Sequence, residues 1–203
     1  MRAVLIANGS ISDYESIKKY IENDAVIICA DGGYDHAEKL GIEPDILIGD
    51  MDSIKSRGIL TEKIVYPKRK DFTDSELVLE YAAENGFDSL VLIGFIGTRL
   101  DHTVTNLELL CKYESINAVM VDEHNEIRRL KKENVISGKK GDIVSVIPLG
   151  GDISDVTTEG LDYSLDGETL FFGTGRGVSN VMTGEKCVVK VGSGRGLIIK
   201  SRD

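Results

Sequence analysis

The hydrophobic residues of the first 125 positions fall into short apolar runs, and the stretches between these runs have helical spacing. Apolar runs of this length are typical of buried strands in a parallel sheet. Because strand and helix alternate, the pattern predicts a mainly parallel sheet in a three-layer α/β arrangement. The predicted strands are residues 3–7, 25–30, 45–49, 63–67, 89–94 and 118–123.

Apolar residues spaced three and four positions apart predict amphipathic helices between these strands. The clearest helix covers residues 73–85, where Thr73 and Glu76 have the spacing of a capping box. A second clear helix covers about 103–114. Shorter helical stretches are predicted near 13–22 and around 34–40.

The pattern changes near residue 125, after which helical periodicity disappears. Short, often alternating runs separated by glycine turns predict a small all-β sandwich domain. Asp166-Gly167 lies between two such runs and predicts a β-hairpin. We therefore expect an α/β domain over residues 1–125, followed by a β-sandwich domain over 126–203.

Composition and charge limit the binding partners that the protein can have and indicate its cellular compartment. The formal net charge is −10, and the first 127 residues carry twice as many acidic as basic side chains, which argues against sequence-independent nucleic-acid binding. No apolar run approaches the roughly 20 residues needed to span a membrane. The three cysteines lie far apart in apolar stretches, which indicates reduced core residues and a cytoplasmic protein.

Four of the predicted strands lead into a small acidic motif. In parallel sheets, ligands bind at the carboxyl ends of the strands, so these motifs should converge on one edge. Clustered carboxylates repel one another unless a cation lies between them, which favours a metal–phosphate site. The motifs are Asp31-Gly32-Gly33, Gly49-Asp50-Met51-Asp52-Ser53, Lys70-Asp71-Phe72-Thr73-Asp74 and Gly97-Thr98-Arg99-Leu100-Asp101-His102.

Asp50 and Asp52 are two residues apart, so both carboxylates can reach one metal ion. Mg²⁺ is commonly held by one or two carboxylates together with substrate phosphates. The alternative is structural, since Asp52 or Ser53 could cap a short helix. The matching acidic motifs on neighbouring strands favour the metal.

Asp71 and Asp74 flank the start of the helix predicted at 73–85, where a carboxylate also interacts favourably with the helix dipole. The basic run 68–70 directly precedes them. A basic run beside acidic ligands suits a polyphosphate, whose negative charge must be neutralised during transfer. A solvated loop is the alternative for this run.

Residues 94–102 form a glycine-containing turn between a predicted strand and helix, where a helix N-terminus favours an anion. Arg99 can clamp phosphate with two donors, and Asp101 can serve a metal or a hydroxyl group. His102 and Asn106 share one helix face. The spacing matches neither a Walker A motif nor a dinucleotide fingerprint. Because no activated covalent nucleophile is evident, these groups indicate in-line phosphoryl or pyrophosphoryl transfer.

Taken in order and spacing, the motifs resemble those of the thiamin pyrophosphokinase family. The resemblance continues in the second domain, at residues 156–165 and at Arg176-Gly177-Val178-Ser179-Asn180, and therefore covers nearly the whole chain. Tyr163 and Lys70 differ from the animal members of the family, which have tryptophan and glutamine at these positions.

The resemblance implies transfer of the terminal diphosphate of ATP to the thiamin hydroxyl, with release of AMP, by a homodimer with sites at the subunit interface. It implies Mg²⁺ at Asp50, Asp52, Asp74 and Asp101, and Asp71 or Asp74 as the acceptor of the hydroxyl proton. Ser179 and Asn180 would hold the aminopyrimidine, with Tyr163 near the ring system. The remaining candidates for binding ATP are Asp31, Gly32, Ser53, Lys70, Thr73, Arg99, His102 and Asn106.

Two other classes of function fit parts of the pattern. A metal-dependent phosphohydrolase or nucleotidyltransferase would use the same carboxylates on another small phosphate substrate. A nucleotide- or thiamin-sensing module would keep the binding loops without catalysis, although the complete set of candidate metal carboxylates argues against it.

Overall fold

The computed structural model describes residues 1–50, 61–65 and 71–202. The chain divides into two compact units, Met1–Glu123 and His124–Asp203. This division falls close to residue 125, where the hydrophobic pattern changes.

The first unit is built on a parallel sheet, as the hydrophobic pattern predicts. Every neighbouring pair of its strands is parallel, in the order β6-β5-β1-β2-β3-β4. The strands are β1 (Arg2–Ile6), β2 (Val26–Ala30), β3 (Ile46–Gly49), β4 (Glu62–Val65), β5 (Ser89–Ile93) and β6 (Asn117–Val121).

The helices of this unit follow the predicted positions with two differences in length. The first helix ends at Lys18, and the residues that follow it form turns. The last helix begins three residues before the predicted start, at Leu100. The helices are α1 (Tyr14–Lys18), α2 (Tyr34–Leu40), α3 (Asp74–Glu84) and α4 (Leu100–Lys112), with a short 3₁₀ helix at Asp31–Gly33.

Both faces of the central strands are buried, which confirms the layered α/β arrangement. Val4 and Ile6 pack in one cluster with Ile17 of α1 and Ala37 of α2. The alternate residues of β1 are also buried, and α3 packs on β1, β2 and β3.

The predicted cap of α3 is confirmed, since the Thr73 hydroxyl accepts a hydrogen bond from the Glu76 N–H at 3.2 Å.

The second unit consists of antiparallel strands in two layers, which confirms the predicted sandwich. One layer has the order β12-β9-β14-β7 and the other the order β11-β10-β13-β8. The two layers share one buried cluster, which includes Val146 and Ile198 from the first and Val156 and Val189 from the second. The strands are β7 (Asn125–Arg129), β8 (Glu133–Ser137), β9 (Ile143–Pro148), β10 (Ile153–Glu159), β11 (Glu168–Leu170), β12 (Asn180–Val181), β13 (Lys186–Lys190) and β14 (Gly196–Ser201).

The hairpin predicted at Asp166-Gly167 is wrong. β11 pairs with β10, and residues 163–167 form no strand of their own. Leu165, just before Asp166, bonds to β10 instead: the Thr158 hydroxyl accepts the Leu165 N–H at 2.9 Å, and the Thr158 N–H donates to the Leu165 carbonyl at 3.0 Å. These bonds hold the chain before Asp166 as a loop.

Cys29, Cys111 and Cys187 are buried free thiols, as their apolar surroundings predict. Burial raises the pKa of the Cys29 and Cys187 thiols, so both remain protonated near neutral pH. The helices in the part of the chain that the structure describes are too short or too polar to span a lipid bilayer.

Candidate active site

A cavity of about 360 Å³ opens at the carboxyl ends of β1, β2 and β5. We call it the strand-end cavity; its lining residues are 7–10, 30–31, 74–75, 94–95, 97–99, 102–103 and 106. Residues 74–75 belong to the first turn of α3, and 102–103 belong to the first turn of α4. The N-terminus of a helix carries a partial positive charge, so two helix starts favour an anionic ligand here.

The cavity brings together some of the candidate residues from the sequence and not others. Asp31, Asp74, Arg99, His102 and Asn106 line it. The other described candidates in this unit stand outside its lining: Gly32, Asp50, Asp71, Thr73 and Asp101. Asp52, Ser53 and Lys70 lie outside the described residues.

Asp31 is a buried carboxylate in the wall of the cavity. Its side chain is 5 % exposed, and its backbone has a φ of +41°, which is uncommon for a residue other than glycine. Such strain is found most often at functional sites. A Cβ on Gly49 would lie 2.8 Å from the Asp31 Cβ, so glycine at this position lets the ends of β2 and β3 approach each other. Asp50, the next residue, is half-buried at the end of β3.

Arg99 and Asp101 form an ion pair at the rim. The Arg99 guanidinium donates through two nitrogens to the two Asp101 oxygens, and the side chains are 70% and 63% exposed. The hydrogen bond with Asp101 raises the pKa of Arg99, and the same bond lowers the pKa of Asp101. The pair is therefore charged at neutral pH, with Arg99 reaching the cavity and Asp101 holding its guanidinium.

Two side chains of α4 organise the turn after β5. The Asn106 amide donates to the Phe95 carbonyl at 2.7 Å, and Asn106 is buried. The Thr103 hydroxyl accepts the Gly97 N–H at 3.1 Å. The spacing of residues in the sequence predicts Asn106 as a site residue, but it does not identify Thr103.

The loop after β1 also lines the cavity and is absent from the sequence candidates. Asn8, Gly9 and Ser10 follow an apolar strand just as the acidic motifs do. The signal was present, since a glycine between two polar residues at the end of a central parallel strand marks the ligand edge. It was missed because the motif contains no carboxylate.

In the second unit, two of the three candidate thiamin residues line a much smaller depression of about 20 Å³, and Ser179 stands outside its lining. Tyr163 and Asn180 line it together with Arg176. Tyr163 is 61% exposed, while Asn180 is buried. Ser179 has a positive φ of 60°, and its N–H donates to the buried Ser145 hydroxyl at 3.0 Å.

The donor set of the first unit fits Mg²⁺ better than a metal that needs a complete protein cage. Among the described residues, no group of three or more His, Cys, Asp or Glu side chains is placed to hold an ion. Mg²⁺ commonly takes one or two carboxylates and completes its shell with water and phosphate. Asp31 and Asp74 line the cavity, and their carboxylates are donors of the type that Mg²⁺ takes.

A parallel α/β unit with carboxylates and two helix starts around an open strand-end cavity is typical of the α/β enzymes that bind phosphate-containing ligands. Two family models match the chain: "Thiamin pyrophosphokinase, catalytic domain" over residues 17–121 and "Thiamin pyrophosphokinase, vitamin B1 binding domain" over residues 124–198. The chain belongs to the thiamin pyrophosphokinase family and is an enzyme of this kind.

Named relatives agree with this assignment. The thiamine pyrophosphokinase of Bacillus subtilis is 27% identical, with 98% of each chain covered. Thiamine pyrophosphokinase 1 of Arabidopsis thaliana is 27% identical over 93% of this chain and 82% of its own. The alternative of a phosphohydrolase or nucleotidyltransferase is not supported by these matches.

Solved structures show the same fold along the whole chain. The crystal structure of the Bacillus subtilis thiamine pyrophosphokinase matches with a TM-score of 0.89 at 25% identity and covers 100% of both chains. The thiamin pyrophosphokinase of Candida albicans matches with a TM-score of 0.80 at 20% identity, covering 100% of this chain and 89% of that one.

Proposed function

We propose that this protein transfers the terminal diphosphate of ATP to the hydroxyl group of thiamin, giving thiamin diphosphate and AMP. The observation that carries the proposal is the strand-end cavity, where acidic residues and two helix starts surround a space of about 360 Å³. The first unit would bind ATP, and the second would present thiamin.

In this reaction the thiamin oxygen forms a bond to the β-phosphorus of ATP. The bond between that phosphorus and the oxygen bridging to the α-phosphorus breaks, and AMP leaves. The hydroxyl proton passes to a carboxylate, for which Asp71 and Asp74 are the candidates. Asp74 lines the cavity and Asp71 is exposed just before α3, so Asp74 is better placed to meet bound substrate.

Arg99 would clamp the polyphosphate with its guanidinium, and His102 would line the same wall. Gly32, Ser53, Lys70 and Thr73 are the further candidates for contacts with ATP, with Thr73 acting as the cap of α3. Asn106 would act through the Phe95 carbonyl, since its amide is bonded there.

Asp50, Asp52 and Asp74 would hold Mg²⁺ together with the triphosphate, and Asp101 would join them by giving up its bond to Arg99. When bound, Mg²⁺ supplies positive charge that neutralises the phosphate oxygens in the transition state. Its contribution is tested by chelation: EDTA should abolish turnover, added Mg²⁺ should restore it, and Mg²⁺ should raise the thermal stabilisation that ATP gives the protein.

In the second unit, the exposed Ser179 hydroxyl would hold the aminopyrimidine, and Tyr163 would lie against the ring system. Asn180 would support this contact by holding the Tyr163 backbone. We further propose a homodimer, because Tyr163, Phe171 and Phe172 are large side chains that remain exposed and a second copy would cover apolar surface of this kind. Light scattering after size-exclusion chromatography measures the mass and tests this.

The decisive assay supplies ATP, thiamin and Mg²⁺ to the purified protein and identifies both products by chromatography. We expect AMP and thiamin diphosphate in equal amounts. ADP as the nucleotide product, or nucleotide turnover without thiamin, would contradict the proposal.

A substitution separates an enzyme from a sensor that only binds. Asp50→Asn should lower kcat by roughly 10²–10³-fold, the scale of one lost transition-state electrostatic contact. Asp24→Asn, an exposed aspartate in a turn of the same unit, is the matched control and should leave kcat unchanged. Equal turnover by the two variants would remove Asp50 from the proposed site.

A further inference from the structure

His36 is a buried histidine that the proposed reaction does not use. It lies on α2, is 8 % exposed, and is absent from the lining of the strand-end cavity. Its Nε2 lies 2.8 Å from the Gly9 carbonyl oxygen, and its Nδ1 lies 2.8 Å from the Tyr14 hydroxyl. Both ring nitrogens therefore have partners in the segment that follows β1.

The partners define the tautomer of the ring. A carbonyl oxygen can only accept, so Nε2 carries the proton and donates to Gly9, and Nδ1 accepts from the Tyr14 hydroxyl. Burial lowers the pKa of His36, with the Lys39 charge acting in the same direction and the Gly9 bond and Asp35 opposing it. The neutral ring is the form that predominates at neutral pH.

The Gly9 carbonyl belongs to the same peptide group as the Ser10 N–H. That N–H donates to the Ile96 carbonyl at 2.8 Å, so the Gly9–Ser10 peptide is held on one side by His36 and on the other by the turn after β5. The Gly9 N–H is held as well, by the Gly94 carbonyl at 2.7 Å. Two of these hydrogen bonds hold the Gly9–Ser10 peptide itself, one from the His36 ring to its carbonyl and one from its N–H to Ile96, while the Gly9 N–H holds the preceding peptide.

The same peptide forms part of the cavity wall, since Asn8, Gly9 and Ser10 all line it. We propose that His36, oriented by Tyr14, is a positioning residue that sets the Gly9–Ser10 peptide for binding the nucleotide. This inference rests on the proposed function, because it takes the strand-end cavity as the nucleotide site. His36 acts through the backbone and does not touch the substrate.

The test measures ATP affinity in the presence of Mg²⁺ by calorimetry, without thiamin, and then KM for each substrate. His36→Leu removes the donor and should weaken ATP binding roughly tenfold, the scale of one buried hydrogen bond left unmade. Tyr14→Phe should weaken it less, in the same direction. His36→Gln keeps an N–H donor and should bind ATP more tightly than His36→Leu. KM for thiamin should stay unchanged in all three variants.

Leu40→Ala is the matched control, because Leu40 is buried on the same helix but contacts the core and lies outside the cavity lining. It should lower the midpoint of thermal unfolding while leaving ATP affinity intact. A merely structural role for His36 would make His36→Leu behave like Leu40→Ala.

Unchanged ATP affinity in a folded His36→Leu variant would overturn the inference. If His36→Leu does not fold, Tyr14→Phe decides: unchanged ATP affinity in a folded Tyr14→Phe variant overturns the inference. Failure of the wild-type protein to bind ATP would instead contradict the proposed function itself, so the two failures are distinguishable.

Discussion

The side-chain amide of Asn180 forms hydrogen bonds with both backbone groups of Tyr163. Its oxygen accepts the Tyr163 N–H at 2.9 Å, and its nitrogen donates to the Tyr163 carbonyl at 2.6 Å. The tyrosine side chain itself is mostly exposed. Asn180 thus holds the backbone from which an exposed aromatic ring projects, which is how a binding surface can be rigid without being buried.

Asn180→Ala should therefore raise KM for thiamin while leaving KM for ATP unchanged, because the Tyr163 backbone loses its two bonds. The free energy of unfolding should also fall by about 1–3 kcal/mol, the range for buried groups left without partners. Steady-state kinetics and urea unfolding measure the two effects.

Asn134→Ala is the matched control for this prediction. Asn134 bonds the backbone of Lys131 in the same way, at 2.8 Å and 2.6 Å, in the same unit but outside the depression that Tyr163 lines. It should lose stability without a change in KM for thiamin. A rise in that KM with Asn134→Ala would show that general loosening of the unit, and not the Tyr163 backbone, is responsible.

Gly94 and Gly86 offer a comparison at the same backbone conformation. Their φ values are +69° and +76°, but a Cβ on Gly94 would collide with the Ala7 carbonyl, whereas a Cβ on Gly86 would meet open space. Gly86→Ala should lower the free energy of unfolding by about 1 kcal/mol through backbone strain alone. Gly94→Ala should lower it by at least about 2 kcal/mol more, since rigid backbone must shift. Equal losses in urea unfolding would contradict the packing argument.

Glu123 should make stability depend on pH in the acid range. Its carboxylate accepts hydrogen bonds from the Ser12 N–H, from the Ser12 hydroxyl at 2.9 Å and from the Asp13 N–H at 3.0 Å. Partial burial works to raise the pKa of Glu123, but these bonds outweigh it and lower the pKa from 4.5 to about 2. The folded state therefore binds this proton less readily than the unfolded state does.

The stabilisation from Glu123 is consequently complete above pH 4.5 and is lost as the pH falls towards 2. Glu123→Gln should be less stable than the wild type by about 1–2 kcal/mol at pH 7, after allowance for solvent screening. The difference should shrink between pH 4.5 and pH 3 in denaturant unfolding. A difference that stays constant over this range would show that the charge of Glu123 is not what the N–H groups stabilise.

Asp101→Asn should separate function from stability. The Arg99–Asp101 pair is exposed, and exposed ion pairs contribute little to folding, so the midpoint of thermal unfolding should move by no more than roughly 1–2 °C. Activity should fall by about tenfold or more, because Asp101 is a proposed ligand of Mg²⁺ and an uncharged amide is a weaker ligand than a carboxylate. Glu15→Gln, which breaks the exposed Lys18–Glu15 pair, is the control and should change neither quantity.

Much of the first unit could be predicted from the sequence because its signals are local. Unbroken apolar runs mark strands buried on both faces, and the Thr73 cap marks the start of α3 within a few residues of chain. The expectation that the acidic motifs meet at one edge follows from the strands being parallel, because the carboxyl ends of parallel strands lie at the same edge of a sheet. Local signals failed at Asp166-Gly167, where a turn was recognised but its strand partner was not. The partner is β10, and Leu165, just before Asp166, bonds to Thr158, several residues earlier in the chain.

Hydrophobic periodicity and the order of the motifs were enough to predict the two-part architecture and the class of chemistry that the acidic motifs serve. Folding in three dimensions is needed to place residues 8–10 in the cavity wall and to bring Asn180 to the Tyr163 backbone. The physical reason is that hydrophobic periodicity and strand-end motifs act over a few neighbouring residues. Hydrogen bonds such as His36 to Gly9 join residues far apart in the chain, and they exist only once the sheet has brought their elements together.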